Sequence, residues 1–428
     1  MKVIGTLITF ILVILIVSCN SSQKIPAEIL QEYPSTIVMQ VVNEANVLRT
    51  DEAITLRIDE ILAKYPSFNP QAFVIFDREV ELPSQLLDIN VDGQVDQLKC
   101  IADFNAGEIK KIVIQYSTQG IKPRSYPKRT QAELSHKIDG EFQKNKEGRF
   151  EYIGGTFKNV DYLRVPQQHS DHSFFIRYEG PGWESDKVGY RFYLDWRNAS
   201  DIYGKKVPDL VLQNVGLDGF DSYNQMSDWG MDILKVGEAL GIGAIGMFQD
   251  GKVERVSKTD STICQIAANG SVYSQIRTRY FGWLVGDGKY DLISDLSICA
   301  GSRITQHTVT ITGNPPNLCT GIVKQEGISL MQNTTSEGEW GYLATYGQQS
   351  LANDTLGMAV IFPKNEMIEI TEDVYNWVVV LKPVSGKLTY YFLAAWEQEP
   401  GGIKTLADFT DYLNSSVQKL NKPLKINL

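Results

Sequence analysis

The chain has 428 residues, 43% of them apolar, with 51 acidic against 41 basic side chains and a formal net charge of -10. That apolar fraction supplies a sizeable core and excludes global disorder. The acidic balance argues against a general nucleic-acid binder, so an anionic ligand must be drawn by a local basic patch.

Lys2 precedes an apolar run, Val3 to Val17, followed by Ser18 and Cys19. A charged start, an apolar stretch and a small residue before cysteine form the pattern of a secretory leader. Ile16-Val17-Ser18-Cys19 matches a bacterial lipobox, so Cys19 is the expected lipidation site and mature N-terminus. The run is short for a spanning helix, which needs about 20 apolar residues. Residues 1–19 are thus expected to be a lipoprotein signal peptide and residues 20–35 a tether. The anchor implies a bacterial cell envelope, at the outer membrane and facing the periplasm. Cys100, Cys264, Cys299 and Cys319 remain, without zinc spacing, and either disulfides or buried thiols suit them.

Residues 36–120 read as a compact run of short strands, among them Ile37 to Val42, Phe73 to Phe76 and Ile109 to Tyr116. Within this section, Asp88, Asn90, Asp92 and Asp96 around Gly93 have the oxygen spacing of a calcium loop. Lys99 stands where the closing acidic residue belongs, so a metal-free Asx turn is the main expectation and a structural calcium the alternative. Residues 121–428 are expected to be the main domain. It starts with a polar, basic section, Ile121 to Arg149, read as a solvated linker or an excursion beside an acidic ligand.

Next, His169 and His172 flank Asp171 in a polar loop before an expected strand, Phe174 to Tyr178. Histidine acts as a base near neutral pH or ligates metal. The H-x-D-H spacing matches part of a metallohydrolase motif, but its preceding histidine is missing, which argues against a dizinc centre. From Val188 the residues alternate. Tyr190, Phe192, Leu194 and Trp196 fall on one strand face, and Arg191, Tyr193, Asp195 and Arg197 on the other. Arginine grips carboxylate bidentately, and tyrosine offers a hydroxyl or a ring face. Tyr273, Gln275, Arg277 and Arg279 repeat that dressing on a second strand. Together the two strands suggest one concave polar floor, against the alternative of a solvent-facing sheet with weak ion pairs. Trp183 is a candidate ring platform, and Asp228, Trp229 and Lys235 a candidate sugar border.

Gly241, Gly243 and Gly246 have dinucleotide-loop spacing but lack the strand before and the helix after, so they are read as close-packing glycines. Further strands are expected at Val272 to Trp283, His307 to Ile311, Leu356 to Phe362, Trp377 to Leu381 and Leu388 to Trp396. Leu406, Phe409, Leu413, Val417 and Leu420 then share a helical face, with Thr405 and Asp408 as capping box and Pro423 as stop. The fold expected is mainly β: a large antiparallel β-sandwich of supersandwich type, a smaller N-terminal β section and a C-terminal helix.

The stretch from His169 to Lys206, with Met226 to Met247 after it, resembles a Bacteroidetes lipoprotein family known as domain of unknown function number 4861. The resemblance runs from about residue 36 to the end. It implies a component of a polysaccharide-utilisation locus for acidic glycans such as pectin and ulvan. One branch resembles oligosaccharide dehydratases, which remove water from a non-reducing-end uronic acid to leave an unsaturated uronate. Such chemistry requires positive charge or metal beside the uronate carboxylate, plus an acid and a base. On this reading His169, His172, Tyr190, Tyr193 and Arg191 are catalytic candidates. Arg197, Asp195, Trp183, Arg277, Arg279, Asp228, Trp229 and Lys235 are binding candidates. The expected ligand is an acidic oligosaccharide, with no cofactor required. The alternative is a lipid-anchored protein that binds glycans without chemistry.

Overall fold

The computed structural model describes residues 25–428, so the expected leader and Cys19 lie outside the described residues. The fold is mainly β and antiparallel, as expected.

Two separate apolar cores organise it. The first lies between a five-stranded and a three-stranded sheet. In the five-stranded sheet Ser35–Val42 lies between Ile109–Tyr116 and the chain's last strand, Lys425–Asn427. Alternation explains why Ser35–Val42 is one-sided: Ile37, Met39 and Val41 are buried while Thr36, Val38 and Gln40 face out. Leu424, Ile426 and Leu428 pack on the same core, so the first and last described strands pair beside it.

The second core is larger. A nine-stranded sheet, centred on Tyr273–Val285, Gly288–Cys299, Ile304–Ile311 and Lys387–Trp396, packs against two five-stranded sheets. One of these carries Gly182–Ser185, Val188–Phe192 and Ser200–Lys205, and the other Leu318–Val323 and Asn376–Leu381. Trp183, Tyr190 and Phe392 interlock across the sandwich. Glycine is required where the layers meet. Gly241 and Gly243 have φ of 71° and 68°, and a Cβ on Gly243 would lie 2.2 Å from the Phe392 ring.

The far face of the nine-stranded sheet carries the helix Leu406–Asn421, which buries Phe409, Leu413 and Val417 against Ala344, Ala359, Leu393 and Ala395. The Thr405 hydroxyl accepts from the Asp408 amide, the expected cap. Among the described residues, no helix is long and apolar enough to cross a membrane. Cys100, Cys264, Cys299 and Cys319 are free thiols.

Two expectations fail. The basic section from Ile121 is no linker after Arg129: Thr130–Glu133 is a buried strand of the main sandwich, and Ser135–Lys144 with Phe150–Asn159 forms a two-stranded hairpin. Most of its charges lie on the exposed hairpin, while Glu133 is buried against Arg177. Phe174 to Tyr178 is not a strand either. Phe174 has φ 56° and Tyr178 φ 37°, and Arg177–Glu179 is a 3-10 turn.

Candidate active site on the 169–198 loops

The expected ladder of Arg191, Tyr193, Asp195 and Arg197 does not lie on one open strand face. The strand Val188–Phe192 ends before Tyr193, and the chain turns through Asp195 to Asn198. Arg191 is buried. Its guanidinium bonds Asp201 at 2.7 Å and Asp232 at 2.6 Å, with the rings of Tyr193, Tyr203 and Tyr223 around it. Burial first, and then the Asp201 charge, raises the Asp232 carboxyl above the usual carboxylate range. Arg191 is therefore bound within the fold, since a buried cation must be paired.

The second half of the expected floor lies elsewhere. Arg277 pairs with Asp295 at 2.8 Å and donates to the Asn90 carbonyl, while Gln275 donates to the Ile89 carbonyl. The arginine strand and the calcium-like loop thus hold each other, joining the N-terminal sandwich to the main one. Within that loop Asp88 accepts from the amides of Asp92 and Gly93, Asp92 from that of Gln94 and Asp96 from that of Ile89. These carboxylates serve an Asx-type turn. Arg279 is half-buried one ladder step from Arg277.

Other candidates also find different surroundings. Trp183 is fully buried and donates to the Thr305 hydroxyl at 2.8 Å, so it offers no ring face to a ligand. Tyr190 is buried, donating to the Arg303 carbonyl and accepting from the Ala394 amide. Trp229 is half-buried, edge-on to Tyr203, with Asp228 and Lys235 exposed.

What does assemble is a compact cluster around Arg197. Its guanidinium reaches Asp171 at 3.0 Å and Glu179 at 2.9 Å, clasps Asp195, and lies 3.9 Å over the Tyr193 ring. His172 Nδ1 lies 2.6 Å from Asp171, and the His172 ring is 57% exposed. Its backbone amide donates to Glu179 at 2.9 Å, which ties the histidine loop to the 3-10 turn. Phe174 and Phe220 stack at 5.0 Å beside it, and Trp196 is 45% exposed.

His169 is different from His172. It is buried, its Nδ1 meets the Ser173 hydroxyl at 2.8 Å, and burial pulls its pKa down. Its Nε2 has no partner.

Backbone strain concentrates here. His172, Phe174, Tyr178, Glu179 and Asn198 all have positive φ without being glycine. Such residues persist only where the surroundings over-determine them, and they gather at functional sites. Asp171, His172 and Glu179 also bring their ligand atoms within 4.8 Å of one another, a set that could hold a divalent cation. Arg197 already bonds both carboxylates, so a cation there would have to share or displace the guanidinium.

Sequence reading assigned no role to Glu179, although it lies seven residues after His172, or to Arg255. Arg255 ends the strand Lys252–Arg255 and places its guanidinium 5.1 Å over the Trp196 ring. Neither has a local sequence signal, because the turns that bring them in are tertiary.

A family model described as a domain of unknown function, DUF4861, matches residues 41–426. The chain belongs to that family. No curated protein sequence matches it. Two solved structures from Enterococcus faecalis are similar to this chain at low identity. One is a protein in glycosyl hydrolase family 38, at 8% identity over 95% of this chain and 48% of that one, with a TM-score of 0.45. The other is an alpha-mannosidase, at 7% identity over 92% and 46%, with a TM-score of 0.44. The chain spans about half the length of each.

Proposed function

We propose that this protein is a carbohydrate-active protein of acidic-polysaccharide degradation, an oligosaccharide dehydratase whose reacting groups lie at the Asp171–His172–Arg197 cluster. The observation that carries the reading is the exposed His172 ring held at 2.6 Å by Asp171, beside a guanidinium and exposed aromatic rings. A carboxylate behind an imidazole fixes its tautomer and orientation, as acid–base work requires.

In the reaction His172 takes the C5 proton of a non-reducing-end uronate. The C5–H electron pair forms the C4=C5 double bond, the C4–O bond breaks, and the hydroxyl leaves as water with the proton that His172 took from C5. Positive charge beside the carboxylate limits the charge build-up.

The non-catalytic, glycan-binding reading keeps one specific support. The Tyr190 and Tyr193 hydroxyls both donate inside the fold, Tyr193 to Asp201 at 2.6 Å, so neither is free as the partner acid.

The test incubates protein starting after Cys19 with saturated uronyl oligosaccharides from pectin and ulvan, following the ultraviolet absorbance of the conjugated uronate. A rise that His172→Ala abolishes supports the dehydratase. Saturable binding with a flat trace supports the binding protein instead.

A further inference from the structure

Among the described residues, Arg49, Arg177, Arg191, Arg197, Arg277 and Arg303 are largely buried, and each sits in an ion pair with a carboxylate. Arg255 breaks this pattern. It is half-buried, no carboxylate lies within ion-pair distance, and its Nη1 is sealed from solvent without a hydrogen-bond partner. Arg279, also half-buried, leaves no such orphaned nitrogen. A guanidinium carries five donors and no acceptor, so an unpaired one at this depth is an unmet demand for an anion.

The surroundings explain why the fold does not meet it. Burial lowers the Arg255 pKa, and Glu238, Asp195 and Asp373 act against that, with Arg197 adding to it. Asp195 is committed to Arg197, and the Asp373 carboxylate accepts from the amides of Val253, Tyr375 and Asn376. Glu238 is exposed and takes the Tyr375 hydroxyl. No nearby carboxylate is thus placed to close on the guanidinium. Trp196 holds it in position, and Trp196 is the neighbour of Arg197 in the turn that builds the His172 cluster.

We propose that Arg255, held on Trp196, is the subsite that takes a carboxylate of the ligand, and so sets a preference for acidic over neutral sugars. This rests on the acidic-oligosaccharide reading of the cluster and names the residue that recognises the acid. Arg197 cannot do this, because three carboxylates already occupy it. With Nη1 sealed, the Nε–Nη2 edge is the fork left for bidentate pairing with a planar carboxylate, the geometry arginine serves best.

Calorimetric titration of protein starting after Cys19 tests this, with saturated uronyl oligosaccharides from pectin and ulvan and their carboxyl-reduced neutral counterparts as ligands. The wild type is expected to bind an acidic form and to discriminate against its neutral counterpart. Arg255→Gln is expected to weaken acidic binding roughly 10- to 100-fold while leaving neutral binding unchanged, the loss expected of one charge-assisted contact. Should Arg255→Gln not fold by its circular dichroism, Arg255→Lys carries the test: it keeps the charge but not the fork, and a loss of about 10-fold is expected. Acidic binding equal to wild type in whichever variant folds overturns the subsite and leaves the acidic-oligosaccharide reading standing. A wild type that binds neither form overturns both.

Discussion

At the scale of single residues, the structure separates arginines and histidines that look alike in sequence. His172 is exposed and touches only loop partners, so His172→Ala is expected to abolish turnover with a melting temperature within a degree or two of wild type, read by differential scanning fluorimetry. Arg191 behaves in the opposite way. Arg191→Ala leaves Asp201 and Asp232 buried without their cation, and a loss of about 3–5 kcal/mol is expected in urea unfolding. A variant as stable as wild type would show that the two carboxylates do not depend on it. The alternation from Val188 to Arg197 placed both arginines on one face, but alternation does not say where a strand stops. Arg191 points away from the sandwich core, into the layer of Tyr203 and Tyr223 on the other face of its sheet, and once the chain turns after Phe192, Arg197 joins the loop cluster.

At the scale of elements, much was legible. The strands Ile109–Tyr116, Asn376–Leu381 and Lys387–Trp396 coincide with runs of β-branched and aromatic residues, and the helix Leu406–Asn421 with its apolar spacing and cap. Thr405→Ala should lower stability by about 1 kcal/mol through the lost cap. Gly243→Ala should lower it more, by about 1–3 kcal/mol, since the new Cβ meets Phe392 and the φ of 68° is unfavourable to it. Chemical denaturation ranks the two, and a neutral Gly243→Ala would refute the close-approach argument. The run after the histidine loop is strand-like in composition, through Phe174, Phe175 and Ile176, yet it is no strand. The left-handed φ of Phe174 accompanies its stack on Phe220, and that of His172 the tie between its amide and Glu179.

At the scale of the whole molecule, two cores share one chain, and a buried histidine couples the larger one to pH. His307 is buried in the main sandwich, between the Ser294 hydroxyl at 2.7 Å and the Tyr390 hydroxyl at 2.7 Å. Burial depresses its pKa to about 4, against the opposing pull of the Gly243 carbonyl. The folded pKa lies below the unfolded value of about 6.5, so the folded state favours neutral imidazole. That contribution is full above about pH 6.5 and is lost as pH falls toward 4, amounting to about 3 kcal/mol at most. Melting curves of wild type and His307→Gln between pH 7 and 4 check this. The gap between them should narrow as pH falls, and a constant gap would exclude His307 as the source.

The sequence by itself determined the class of fold, the positions of most strands, the capped terminal helix and the close-packing role of Gly241 and Gly243. These depend on period-two alternation, helical spacing and residues whose backbone preferences are local. Only the tertiary structure decided which charges are available to a ligand. Arg191, Arg277 and Arg197 are taken by carboxylates up to 41 positions away in sequence, and Arg255 is left without one by how the layers pack. Ion pairing of this kind is a property of distance in space, and a sequence records only which charges exist.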